Sequence, residues 1–168
     1  SVMRSRAATA LAVCLMAVLP TAGCYQGFDD TVNTQGPTGN GTDVRIGDTI
    51  LVQNATLVTG PLGESGAASL VMTIINDGEL PDALVSVSID PTGTSSQKTP
   101  IVVTPGNSVQ IGGSASDQII VSDLDVPPGS YATVTFSFER DGSATRGVAV
   151  VPAAGYYEGY GPLAAIEE

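Results

Sequence analysis

The stretch Tyr131–Glu139 alternates strictly. Ala132, Val134, Phe136 and Phe138 fall on one side, and Tyr131, Thr133, Thr135 and Ser137 on the other. Successive side chains leave a pleated strand on opposite faces, so a period of two predicts a strand with one face buried. Val85, Val87 and Ile89 repeat the pattern, with Ser86 and Ser88 between them. Leu70 to Ile75 is apolar on both faces, as in a central strand. The remaining candidate strands complete the series Thr49–Val58, Ala67–Asn76, Ala83–Asp90, Ile101–Thr104, Ser108–Ile111, Gln118–Val121, Tyr131–Arg140 and Ala144–Val151. Turn signals separate them: Asn76-Asp77-Gly78, Asp90-Pro91-Thr92-Gly93, Pro105-Gly106-Asn107, Pro127-Pro128-Gly129 and Asp141-Gly142. No helical period of useful length competes with them after Cys24. So many short strands in about 110 residues predict an all-β chain, a two-sheet antiparallel sandwich of cupredoxin-like or immunoglobulin-like kind. A core of that size stands without disulfides.

The N-terminus carries an address. Arg4 and Arg6 precede an apolar run from Ala7 to Leu19. Its length suits a signal-peptide core of ~7–15 residues and falls short of the ~20 that cross a bilayer. Thr21, Ala22 and Gly23 then lead into Cys24, a run of small residues that resembles a bacterial lipobox. The usual pattern has Leu where Thr21 stands; here Leu19 lies two residues further back. The resemblance implies cleavage between Gly23 and Cys24, and a diacylglycerol thioether on Cys24. Cys14 would leave with the signal peptide, so no disulfide could form within the mature chain. The chain divides into a signal peptide (1–23), a lipid-anchored flexible linker (24–42), a β-sandwich domain (43–153) and a Tyr/Gly-rich tail (154–168). The linker has a reach of roughly 20–25 Å. The expected location is the extracytoplasmic face of the cell membrane.

Charge narrows the partners. The chain has 17 acidic and 6 basic residues and no histidine. Cleavage before Cys24 would leave 145 residues with four basic ones, Arg45, Lys98, Arg140 and Arg146, and a formal charge of −13. Such a chain repels nucleic acid and anionic headgroups, leaving the acyl chain to hold the membrane. Without histidine there is no His-based triad, and no catalytic constellation replaces it. Ser95-Ser96-Gln97-Lys98 has the Ser-x-x-Lys spacing of acylating enzymes but sits among turn residues, where no helix brings the two side chains together. Asp123-Leu124-Asp125, with Asp117 nearby, lacks a calcium-loop pattern, and alternation places Asp123 and Asp125 on one solvent face. Met72, inside an apolar run, reads as core packing. Zero tryptophan and 5% aromatics weigh against a stacking platform for sugars or bases. Three of the five tyrosines, Tyr156, Tyr157 and Tyr160, concentrate in the tail. They are candidate partner contacts, against the plainer reading of a loose end that packs a ring or two.

Two stretches carry a family resemblance. Gly66-Ala-Ala-Ser-Leu-Val-Met-Thr-Ile-Ile-Asn-Asp-Gly with Pro81-Asp-Ala-Leu-Val-Ser-Val-Ser resembles the start of the PCuAC periplasmic copper-chaperone domain. Val126-Pro-Pro-Gly-Ser-Tyr-Ala-Thr-Val-Thr-Phe-Ser-Phe-Glu with Gly147-Val-Ala-Val-Val-Pro resembles its end. With the lipobox, the chain is similar to the LpqE-like lipoproteins of actinobacteria. The resemblance implies a cupredoxin-like sandwich from about Asp43 to Pro152. The family's chaperones hold copper(I) with two His and two Met. The matching stretches here, near Thr92–Thr99 and Gln118–Val121, contain neither, and Ile120 stands where a Met ligand belongs. The expected function is therefore a non-enzymatic, lipid-anchored accessory or assembly factor with no cofactor beyond the acyl group. It would dock on a membrane protein complex, with the respiratory cytochrome bc/oxidase supercomplex as the family-borne candidate. The alternatives are copper(I) trafficking through an atypical site, using Met72 with carboxylates or a second chain, and an envelope ligand-binding module.

Overall fold

The computed structural model describes residues 41–63, 66–90, 94–95, 97 and 99–162. Gly23, Cys24, Ser96 and Lys98 lie outside the described residues, as do the signal-peptide segment and most of the expected linker. Ten strands form: β1 (Thr42–Ile46), β2 (Ile50–Thr59), β3 (Gly66–Asn76), β4 (Asp82–Asp90), β5 (Thr94–Ser95), β6 (Ile101–Val103), β7 (Ser108–Ile111), β8 (Ile119–Leu124), β9 (Tyr131–Phe138) and β10 (Gly142–Pro152). The 3-10 turn Gly155–Tyr157 is the only helical element among the described residues.

The strands pair in the order β5-β8-β3-β2-β10-β9-β4-β6, with β1 added to β2 and β7 to β3. β9 buries Ala132, Val134, Phe136 and Phe138 and turns its hydroxyl-bearing residues outward. β3 buries Leu70, Met72 and Ile74 and keeps Val71, Thr73 and Ile75 half-exposed on the other face. These buried faces meet Ile50, Val52, Leu57, Leu84, Val148 and Val150 in one core. Burying a side chain of this size contributes about 1.5–3 kcal/mol, which is why the alternating pattern decides the register. The result is the expected cupredoxin-like sandwich, its sheet rolled nearly into a barrel.

The sheet is not wholly antiparallel. β10 runs parallel to β2, from Ala149 opposite Thr56 to Pro152 opposite Thr59. Almost the whole domain separates these strands in sequence, so no hairpin dictates their direction. β2 changes partner along its length, pairing β1 over its first half and β10 at its end. β1 and β5 are additional to the strands read from the sequence. β1 does alternate, with Thr42, Val44 and Ile46 buried, but spans only five residues beside a Gly-rich segment. β5 has two residues and no pattern at all.

Two side-chain amides join distant parts of the strand path. Asn76, at the end of β3, is 0% exposed. Its Nδ2 donates to Leu80 O at 2.8 Å and to Val103 O of β6 at 3.0 Å, while its Oδ1 accepts from Gly78 N at 2.9 Å. Gln97, just after β5, donates from Nε2 to Leu84 O of β4 at 2.6 Å. At one end of the barrel two carboxylates act in series. Buried Asp82 accepts from the amides of Ala83, Arg140 and Asp141 at 2.7, 2.9 and 3.0 Å. Asp141 in turn accepts from Thr49 N, Thr49 Oγ1 and Ile50 N at 2.9, 2.8 and 3.2 Å.

Candidate functional site

A bulge in β2 starts the site. Its pairing with β3 shifts between Gln53 and Thr56, so Asn54 and Ala55 together face Met72. Asn54 takes a φ of +55°, a left-handed conformation that asparagine tolerates better than most residues. A bulge bends its strand and redirects a side chain. Asn54 is exposed here, whereas Ala55 to Thr59 are buried on both faces of the strand. The Asn54 amide nitrogen donates to Asp43 Oδ1 at 2.8 Å, and its carbonyl accepts from Thr56 Oγ1 at 3.2 Å. The backbone is thereby occupied and the side-chain amide is left to the surface.

The chain returns to this bulge after β10. Ala153 N donates to Gly60 O at 3.4 Å, and the 3-10 turn then carries the tyrosines across the outer face of β2 and β3. The rings of Tyr156 and Tyr157 meet edge to face, 5.1 Å apart at 87°. Those of Tyr157 and Tyr160 lie 6.4 Å apart at 85°. Such perpendicular pairs are the favoured aromatic geometry. Tyr160 presses against Gly113, where a Cβ would lie 2.6 Å from its ring. Between the rings and the sheet lies a cleft of about 260 Å³, lined by Asn54, Val71, Met72, Thr73, Gln110 and the three tyrosines. None of these side chains is charged. Tyr156 is 77% exposed and Met72 only 1%, so the thioether belongs to the core and not to the opening.

The structure therefore brings Tyr156, Tyr157 and Tyr160 together on one sheet face. Asn54, Thr73 and Gln110 were not singled out in the sequence. An asparagine inside the predicted strand Thr49–Val58 was the available signal, because asparagine is depleted in strands unless a bulge or turn employs it.

The other candidates come apart. Asp123 has a φ of +57°, and the β3–β8 register shifts beside it, between Gly66 and Ala67. Asp123 and Asp125 are both exposed with Leu124 buried between them, so the expected solvent face stands, with a bulge at its start. Ser95 lies in β5, not on a helix. Among the described residues no group of three or more His, Cys, Asp or Glu gathers as metal ligands.

No family model matches the sequence, and no curated protein matches it. Solved structures do. An apo PCuAC domain from PmoF1 superposes with a TM-score of 0.57 at 21% identity, covering 66% of this chain and 98% of that one. A copper-bound PCuAC domain from PmoF2 gives 0.57 at 24% identity, covering 66% and 97%. The apo PmoF2 domain gives 0.56 at 22%, covering 67% and 97%. The fold is that of a PCuAC domain.

The PCuAC resemblance places copper ligands in two stretches, and the structure does bring those stretches together. β5 pairs β8, with Thr94 opposite Ser122 and Ser95 opposite Val121. Their chemistry does not suit copper(I), which favours thiolate, thioether and imidazole. Gln118 gives its amide to Gly113 O and Ala115 O at 3.0 and 2.8 Å, Ile119 is sealed in the core, and the rest of the pairing is hydroxyl and aliphatic.

Proposed function

We propose that this chain is a non-enzymatic, lipid-anchored cell-envelope domain that keeps the copper-chaperone fold and uses it for binding. Its contact surface is the tyrosine cleft. The observation that carries this reading is the convergence of Tyr156, Tyr157 and Tyr160 with the Asn54 bulge over an otherwise ordinary sheet. Cys24 supplies the membrane anchor, and the acidic body stays clear of anionic headgroups. Docking on a membrane protein complex, the respiratory supercomplex included, is one form this role takes.

The test is affinity purification of the tagged, lipidated protein from membranes in mild detergent, with mass spectrometry of proteins and sugar analysis of what co-elutes. Tyr156→Ala/Tyr157→Ala should lose the bound material several-fold. Recovery that is equal in the two forms, or no bound material in either, overturns the reading.

Copper(I) trafficking through an atypical site is the second reading, favoured by the likeness to a copper-bound domain. It would draw ligands from a second chain, or use Met72 with carboxylates, which requires the thioether to leave the core. Competitive copper(I) titration decides it: an affinity no better than that of Met72→Leu ends it.

A further inference from the structure

We infer that the tyrosine cleft holds one uncharged sugar ring of an envelope polysaccharide. This inference rests on the cleft being the contact surface, and it goes further by naming the ligand class. The volume of about 260 Å³ lies just under the range of ~300–1,000 Å³ typical of drug-sized ligands, which suits a single ring. The walls combine two kinds of group. Tyr156, Tyr157 and Tyr160 offer aromatic faces and edges for C–H-bearing ring surfaces, and Tyr156 is open to solvent over most of its area. Asn54, Thr73 and Gln110 offer amides and a hydroxyl, which both donate and accept hydrogen bonds, as sugar hydroxyls do.

Charge argues against the other small ligands. No cationic side chain lines the cleft to meet a phosphate or carboxylate, and the chain carries a formal charge of −11. No carboxylate lines it to pair a cation. A peptide added as an extra strand finds no edge on β2 or β3, which are paired on both sides, and only the short edge of β7, four residues long, beside Gln110. A proline-rich peptide is the remaining competitor. Grooves for such peptides are long, whereas this cleft, about 260 Å³, has room for little more than one ring.

The chain has no tryptophan, so its intrinsic fluorescence reports tyrosine alone, and three of five tyrosines stand at the cleft. The purified full chain, in a polyoxyethylene detergent free of sugar, is titrated with maltohexaose, cellohexaose, a soluble arabinan, a soluble galactan and hexaproline. At least one glycan should give a saturable change. Tyr157→Ala and Gln110→Ala should each weaken that glycan about tenfold or more, and Tyr131→Ala, outside the cleft, should leave it unchanged. Thermal melts confirm that each variant is folded; Gln110, exposed on β7, serves if Tyr157→Ala is not. Saturation by no glycan up to on the order of 10 mM overturns the inference. So does affinity that both cleft variants retain, or saturation by hexaproline alone. A tyrosine-dependent protein partner recovered from membranes, with no glycan bound, would overturn the sugar while leaving the binding-domain reading intact.

Discussion

At the scale of single residues, the polar groups sealed inside the barrel matter more than those on its surface. Asn76 satisfies two carbonyls and one amide at once. Truncating it leaves Val103 O buried and unpaired and Leu80 O and Gly78 N only partly open to water, at about 1–3 kcal/mol for each one that water cannot reach. Asn76→Ala should therefore lower the unfolding free energy by about 3 kcal/mol, read from the urea midpoint. Asn107→Ala, whose bonds to Thr104 and Pro105 are exposed, should change it by less than about 0.5 kcal/mol. Asp141 ties stability to pH. Burial pushes its carboxyl pKa up, but the amide and hydroxyl of Thr49, the amide of Ile50 and the charge of Arg140 together outweigh burial and hold it below the ordinary value. A carboxyl with a depressed folded pKa stabilises the fold above its unfolded pKa, about 3.9, and loses that contribution as pH falls through the folded value. Thermal stability should thus decline below about pH 4, and Asp141→Asn should flatten that decline while costing stability at neutral pH.

At the scale of elements, the segment after β10 is a strap held by glycines. Gly113 has a φ of +62° and lies under the Tyr160 ring; a Cβ on Gly161 would come within 2.8 Å of Thr59 O and 2.9 Å of the Ala153 Cβ. Alanine at Gly113 pays a left-handed backbone cost of about 1–2 kcal/mol and also displaces the ring. Gly129, at φ +88° with open space around it, pays only the backbone cost. Gly113→Ala should consequently be the more destabilising of the two and should alone alter the near-ultraviolet circular dichroism of the tyrosines. Equal spectra for the two variants would mean that the strap does not depend on that contact. Strands were legible wherever burial imposed alternation, as in β9, because one face there is core and the other solvent. In β4 the expected pattern holds for Val87 and Ile89 but not for Val85, which is 41% exposed because the pairing with β9 shifts between Leu84 and Ser86. β1 was too short to show a convincing period, and β5 had none. The bulge at Asn54 showed only as an asparagine inside a strand, and that at Asp123 not at all, because a one-residue shift in pairing is settled by partner strands remote in the sequence.

At the scale of the whole molecule, averages hid the cleft. An aromatic content of 5% weighed against any stacking platform, yet folding gathers three of the five tyrosines onto one sheet face. The same scale governs the charge. Among the described residues the single ion pair is Arg45–Asp77, at 2.9 Å, with side chains 48% and 51% exposed. A pair so exposed contributes little, about 0–1 kcal/mol, so it offsets none of the repulsion among 17 acidic residues against 6 basic ones. Net charge far from zero opposes the compact state, and salt screens it once the Debye length falls to about 10 Å near 0.1 M. Raising sodium chloride from about 0.01 to 0.2 M at pH 7 should therefore increase the melting temperature by about 4 °C, the shift of roughly 1 kcal/mol in a domain of this size. Close to the sequence pI of 4.1 the carboxylates are partly protonated and the same salt step should do much less. A melting temperature that falls with salt at pH 7 would instead mean that local attractions outweigh the acidic excess, and that the charge of the fold is patterned rather than merely large.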